Sequence, residues 1–340
     1  MKACCTHHES IITSPVPPTP ARADGWQPGL IEAAGCTLVE LSESWLLEEL
    51  EQHGALLFRG FNADQEAFHR FAGRFNQIFV TQPYNDRESY DSQPGLQSVP
   101  LSQTALGPHF EWGTSPFRPD FLWFCCLKPA RQGGETTLYD GAEVYARLSE
   151  DTRQRLGEQV ILVRDFFPLP IFKRILDSAV ARAVLGPEPL KRLGELPDLA
   201  IKGVTTDNRI VIENRLSAVA YKAGRPPALR HNLIPGHSNS VESSGASVGH
   251  SDLVLWEDGS PLDDRIIEDI QQACSATRFD VRWEAGDVLM IDNNWVMHGR
   301  NAWDDSPREI VTLASISRWH NNHYNQILAT DFRSAQGELT

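Results

Sequence analysis

Three residues in this chain are of types that bind a transition metal together: His109, Glu111 and His298. The first two stand in Gly107-Pro108-His109-Phe110-Glu111-Trp112. If that stretch is extended, positions i and i+2 share a face, so an imidazole and a carboxylate can grip one ion. The third candidate lies far away, in Asp292-Asn293-Asn294-Trp295-Val296-Met297-His298-Gly299. Two imidazoles and one carboxylate form the facial set that suits non-haem Fe(II) and leaves coordination positions open. Taken alone, His-x-Glu also reads as an ordinary polar surface pair. The choice rests on what else the chain brings to the same place.

Two further residues bear on it. Thr136 follows the glycine turn Gly133-Gly134 and opens a short strand, Thr136 to Asp140, which could bring its hydroxyl towards the same cavity; an inert threonine after a turn is the competing reading. Arg308 heads an alternating segment that puts Arg308, Ile310, Thr312 and Ala314 on one face. An arginine on a small, apolar inward face calls for an anion, and its planar fork suits a carboxylate; a surface salt bridge is the alternative.

The elements that must position these residues are short strands broken by helices. Gly54 to Phe61 reads as a buried strand closed by glycine, and Phe68, Phe71, Ala72 and Phe75 form one apolar helical face. Phe121 to Leu127 is an unbroken apolar run, as in a strand buried on both faces, with Cys125 and Cys126 as small core residues. A helix is expected from about Gly141, carrying Val144, Leu148 and Leu156, and another with Ile266, Ile267 and Ile270 on one face. Phe279 to Trp283 and Val288 to Asp292 read as a hairpin ahead of His298. The stretch from Thr81 to Leu106 has little periodicity and reads as a long loop. From Val160 to Asp252, strand-like pieces such as Ile161-Leu162-Val163 and Ile210-Val211-Ile212 alternate with prolines, which reads as insertion and lid. His231, His237 and His250 fall there at spacings that match no metal template, and are read as surface-loop histidines.

The 340 residues fit one elaborated domain: residues 1–27 a flexible, proline-rich leader, 28–330 a single domain with lid insertions at about 81–106 and 165–252, and 331–340 a tail. A net charge of -14 argues against nucleic-acid binding. No run of eighteen apolar residues and no secretory pattern is seen, so neither a membrane span nor export is expected. The six cysteines include two adjacent pairs, unlike a secreted disulfide framework, and fit a cytoplasmic enzyme. Cys4-Cys5-Thr6-His7-His8 reads as part of the mobile leader rather than a metal site.

These segments, in order, resemble the taurine dioxygenase and clavaminate synthase-like branch of the Fe(II)/2-oxoglutarate-dependent oxygenases. The resemblance runs through Gly54 to Phe61, His109-Phe110-Glu111, Leu127 to Thr136, Asp258 to Pro261, Trp283 to Val288 and His298 to Arg308. It implies a mainly β fold with helical insertions, a double-stranded β-helix or cupin-like jelly roll. It implies that His109, Glu111 and His298 hold Fe(II), that Arg308 pairs with the distal carboxylate of 2-oxoglutarate, that Thr136 hydrogen-bonds the same co-substrate, and that O₂ is consumed. Glu111 replaces the aspartate of the taurine dioxygenase type, a change found on the clavaminate synthase side, and its carboxylate leaves no vacancy for a halide. Thr312 stands where taurine dioxygenase has a sulfonate-binding arginine, which disfavours a sulfonate substrate. The expected activity is hydroxylation or desaturation of a small amino-acid-like molecule, free or tethered to a carrier protein, in secondary metabolism. A non-catalytic metal-binding jelly roll and a zinc hydrolase are the alternatives. Oligomeric state is left open.

Overall fold

The computed structural model describes residues 25–317, except 82–86, 91, 101, 115–117, 179–180, 183–184, 197, 223, 235–253 and 305. Two facing sheets form its centre. The major sheet contains β1 (Gly29–Glu32), β2 (Ala55–Arg59), β3 (Asn76–Val80), β4 (Gln97–Ser98), β6 (Phe121–Lys128), β15 (Val288–Asp292) and β17 (Glu309–Ser317). Its order is β1-β2-β15-β6-β17-β3, with β4 also on β17, and only β1 and β2 run parallel. The minor sheet is β14-β7-β16-β5, built from β5 (Leu106–His109), β7 (Thr136–Asp140), β14 (Phe279–Val281) and β16 (Val296–Arg300).

Alternation along β6 shows how the layers form. Phe121, Trp123 and Cys125 pack with Phe68, Phe71 and Phe75 under the helices α1 (Glu43–His53) and α2 (Gln65–Gly73). Leu122, Phe124 and Cys126 point the other way, meeting Leu138 and Val296 of the minor sheet between the two sheets. Both faces are therefore buried, which is why this strand is a continuous apolar run rather than an alternating one. The minor sheet's second face packs Tyr139 and Met297 against α3 (Gly141–Arg147), α4 (Glu150–Glu158) and later elements. The double-stranded β-helix expected from the sequence is the fold observed.

Several local expectations change. Phe279 to Trp283 and Val288 to Asp292 do not pair as a hairpin: the turn between them carries the chain from β14 in the minor sheet, beside β7, to β15 in the major sheet, between β2 and β6. The single helix from Gly141 is two helices: Leu148 is extended (φ -61, ψ 150), and Ser149 caps α4 by accepting from the Thr152 amide. A serine at that point satisfies a fresh helix N-terminus more readily than it continues an old one. The Thr81 to Leu106 stretch is not structureless, since Ser89 bridges to Gln97 and β4 joins β17. Trp26 is buried and donates from Nε1 to the His53 carbonyl at 2.9 Å, so packing begins inside the span read as leader. The rest of that leader, with the Cys4-Cys5-Thr6-His7-His8 cluster, lies outside the described residues, as does the tail.

The proline-rich middle forms a four-stranded antiparallel sheet, β13-β8-β10-β9, from β8 (Val160–Pro168), β9 (Leu199–Val204), β10 (Arg209–Ser217) and β13 (Val254–Trp256). Beside it lie the short pair β11 (Val219–Ala220) and β12 (Ala228–Leu229), and the helices α5 (Leu169–Leu176), α6 (Pro189–Gly194) and α7 (Asp264–Thr277). Its prolines sit at element boundaries: Pro168 ends β8, Pro170 occupies the first turn of α5, and Pro189 opens α6. At a first turn the missing amide hydrogen costs nothing, so these prolines punctuate the structure without breaking it.

Candidate metal centre

The minor sheet brings the distant histidines together by register. His298 in β16 is paired directly with His109 in β5 on one side and with Leu138 in β7 on the other. Paired residues project to the same face, and here that face looks into the space between the sheets. The two imidazole centroids are 4.1 Å apart, and the His298 ring lies 5.6 Å from that of Phe124 on the opposite sheet.

Glu111 arrives by a different route from the one strand alternation predicts. β5 stops at His109, and residues 111–114 form a turn in which Trp112 adopts a left-handed φ of 55°. Two asparagine side chains hold that turn. Asn293, fully buried, accepts the Glu111 amide at 2.9 Å and donates to the carbonyls of Glu111 (3.0 Å) and Pro119 (2.8 Å). Asn232 accepts the Phe110 amide at 2.7 Å and donates to its carbonyl at 3.0 Å. Gly113 lies against the Asn232 amide, where a Cβ would collide with it. A strained φ persists where neighbours over-determine the backbone, and these five side-chain hydrogen bonds do so.

The outcome is a buried cluster in which one ligand atom each from His109, Glu111 and His298 lie within 4.8 Å of one another. His298 Nε2 is 3.8 Å from a Glu111 oxygen. His109 Nδ1 is 2.9 Å from the Gly107 carbonyl; a carbonyl only accepts, so Nδ1 carries the proton and Nε2 keeps its lone pair. Burial pushes the His109 imidazolium below its usual range, and burial together with His109 pushes His298 well below it. Both rings are thus neutral donors near pH 7. Two neutral imidazoles beside a carboxylate, in a buried pocket, fit a divalent first-row ion.

Thr136 and Arg308 both lie beside the glycine turn, Thr136 two residues after Gly134 and Arg308 in contact with it. Thr136 is buried in β7, and its Oγ1 accepts from Trp283 Nε1 at 3.2 Å, leaving its own hydrogen available to donate. Arg308 does not sit in the regular alternation of β17. The strand begins at Glu309, and an irregularity between Glu309 and Ile310 resets the register, so the shared-face argument from sequence does not apply to it. Its guanidinium is instead placed by Gly134, whose carbonyl accepts from Nε at 3.1 Å, and by the Trp303 ring at 5.0 Å. Gly134 is left-handed (φ 73°), and a Cβ there would lie 2.9 Å from Arg308 Nε, so a side chain at this position would crowd the arginine. Burial, reinforced by Arg300, lowers the Arg308 guanidinium to about 10, which leaves it charged at neutral pH.

Of the other histidines, His231 is buried rather than on the surface. Its segment runs under the ligand turn, tied there by Asn232 and by Arg118, which donates to the Arg230 carbonyl at 2.8 Å. His237 and His250 lie outside the described residues. Cys125 and Cys126 are fully buried, and burial raises both thiols, Cys126 to about 12, as befits inert core residues. Asn232, Asn293 and Arg87, which lies 3.8 Å from Glu111, were not singled out from the sequence. The one available signal was the Asn293-Asn294 doublet between two apolar strands.

A family profile described as Taurine catabolism dioxygenase TauD, TfdA family matches residues 23–314. Among curated proteins, the chain is 23% identical over 285 residues to the dapdiamide synthesis protein DdaC of Enterobacter agglomerans, covering 78% of this chain and 83% of that one. It is 24% identical over 303 residues to a clavaminate synthase-like protein of Arabidopsis thaliana, covering 81% and 86%. Among solved structures, PvcB of Pseudomonas aeruginosa, described as an Fe, alpha-ketoglutarate dependent oxygenase from an isonitrile synthetic pathway, superposes with a TM-score of 0.51 at 15% identity, covering 92% and 95%. A taurine dioxygenase from Burkholderia xenovorans gives 0.54 at 15% identity, covering 86% and 88%.

Proposed function

This chain belongs to the TauD, TfdA family of dioxygenases, and from that premise we propose that it hydroxylates or desaturates a small amino-acid-like substrate, using Fe(II), 2-oxoglutarate and O₂. The convergence of His109, Glu111 and His298 in one buried cluster carries this reading. Bound there, the iron and its co-substrate supply an oxidant strong enough to take hydrogen from an unactivated carbon, with 2-oxoglutarate leaving as succinate and CO₂.

The chain's own residues do the rest. His109 and His298 offer neutral nitrogens, and Glu111 lowers the net charge of the ion they hold. Arg308, fixed at Nε by Gly134, has its remaining donors for the distal carboxylate of 2-oxoglutarate. Thr136 retains a hydroxyl hydrogen for the same molecule. The apolar wall around Phe124 and Leu138 keeps water from the reacting centre.

A zinc hydrolase would share the three donors but would leave Arg308 without a task, and a non-catalytic jelly roll would have no need of this donor set. Three observations support a role in small-molecule biosynthesis in the cytoplasm. The relatives DdaC and PvcB are named for dapdiamide and isonitrile synthesis. Cys36, Cys125, Cys126 and Cys274 are free thiols. Among the described residues no helix is long and apolar enough to cross a membrane.

The test is a screen of amino acids, free and as carrier-protein thioesters, for substrate-dependent succinate release. A product 16 mass units heavier than substrate marks hydroxylation, and one two units lighter marks desaturation. Iron-dependent turnover without consumption of 2-oxoglutarate would refute the proposal.

A further inference from the structure

We propose that Arg87 anchors the α-carboxylate of the primary substrate, which makes that substrate a free amino acid rather than a carrier-bound thioester. The inference rests on the iron and 2-oxoglutarate reading above and deepens it.

Three arginines on this side of the molecule differ in how fully they are used. Arg300 donates through Nη1 and Nη2 to the carbonyls of Pro100, Ser102 and Thr104 at 2.9, 2.6 and 2.9 Å, so although its Nε lacks a partner both terminal nitrogens are taken up in holding the approach to β5. Arg308 is tied to Gly134 through Nε, and its remaining donors are assigned to the co-substrate. Arg87 makes no hydrogen bond among the described residues. Its side chain is 9% exposed, its Nε is buried without a partner among the described residues, and its one ion pair among them, with Glu111, is 3.8 Å long, beyond hydrogen-bond range.

That pairing cannot be its working arrangement. Once a divalent ion holds Glu111, the carboxylate's charge is taken up by the metal. Arg87 is then a largely buried cation whose Nε lacks a partner, a state that another anion would relieve. 2-Oxoglutarate brings two negative charges, one met by Arg308 and the other directed at the ion. A third anionic group would satisfy Arg87, and a primary substrate with a free carboxylate supplies one.

The geometry is consistent with such a guest. Arg87 lines a narrow cleft with Gln97, Glu111, Trp112, Leu122 and Thr312, opening directly beside the ligand carboxylate. Its free volume, about 10 Å³, holds about one water. A substrate therefore enters by displacing the loose Arg87 to Glu111 contact, with the long arginine stem making room. Thr312 leaves its side of the cleft neutral, its hydroxyl donating to the Trp123 carbonyl at 2.8 Å, so Arg87 is the cation available there.

The experiment is an anaerobic equilibrium titration of L-amino acids and their carboxamides into protein loaded with Fe(II) and 2-oxoglutarate, following perturbation of the chelate's visible band. Wild type, Arg87→Met and Arg87→Lys are compared. The expected result is that the acids bind wild type more tightly than their amides. Arg87→Met should weaken the acids about 10- to 100-fold, the loss of one charge-assisted contact, while 2-oxoglutarate binding changes less than about threefold and Arg87→Lys restores part of the preference. Three results overturn the assignment: no acid perturbing the wild-type band, an acid-to-amide preference indifferent to Arg87→Met, or an equal loss of 2-oxoglutarate binding. Absence of the band in wild type refutes the underlying iron and co-substrate reading instead, and so separates the two failures.

Discussion

Two four-stranded antiparallel sheets in this molecule each bury a carboxyl, and they treat it in opposite ways. Beside the minor sheet, Glu111 meets two imidazoles and a guanidinium, and its backbone is clamped by Asn293. In the outer sheet, Asp165 of β8 is buried with no hydrogen-bond or ion-pair partner among the described residues, and burial alone raises it to about 7. Burial by itself therefore does not mark a functional carboxylate here. What marks Glu111 is the arrival of complementary groups from two other parts of the chain, Arg87 and the stretch from Asn293 to His298, to join His109.

The sharpest way to break the contrast is to remove each carboxylate. Glu111→Ala should abolish succinate formation while the protein stays folded by circular dichroism. Next in size is the clamp. Asn293→Ala leaves the Glu111 amide and two carbonyls unsatisfied in the interior, which should cost about 1–3 kcal/mol of stability and weaken Fe(II) binding about 10- to 100-fold. Urea unfolding and metal titration measure the two effects. Arg308→Met should raise the KM for 2-oxoglutarate about 10- to 100-fold with little change in unfolding midpoint.

The smallest expected effect on activity, with the opposite sign on stability, belongs to Asp165→Asn. The folded carboxyl titrates near 7 against an ordinary 3.8, so between those values the folded state holds a proton that the unfolded state has lost. Stability is therefore fullest below about pH 4, falls as pH rises towards 7, and levels off above it. The asparagine variant should be more stable than wild type by on the order of 1–3 kcal/mol at pH 8, with the difference shrinking at pH 4 and turnover unchanged. Denaturant melts at both pH values decide it.

The same contrast explains what could be read in the residues beforehand. β6, β15 and β17 announce themselves through local apolar patterns, but the strands ahead of His298 that read as a hairpin part into different sheets, β14 beside β7 and β15 between β2 and β6, because their partners lie far along the chain. The helix α2 declares its face through Phe68, Phe71 and Phe75. The path of Glu111 was hidden because it depends on Asn232 and Asn293, which lie 122 and 182 residues away from the backbone groups they hold. The outer sheet was hidden because Pro168, Pro170 and Pro189 look like breakers until their places at element ends are seen. Arg308 was singled out for a valid chemical reason on a periodicity that a strand irregularity removes. His231 was misplaced because its neighbours Asn232 and Arg230 are tied to Phe110 and Arg118, long-range contacts that a polar local sequence does not record.

The central claim is that His109, Glu111 and His298 hold an iron ion that 2-oxoglutarate chelates. Anaerobic addition of Fe(II) and then 2-oxoglutarate to the purified protein tests it most directly, by the weak visible charge-transfer band of the chelate. The account predicts a band in wild type that is lost in His298→Ala. No band in wild type, or a band unchanged in that variant, would contradict it.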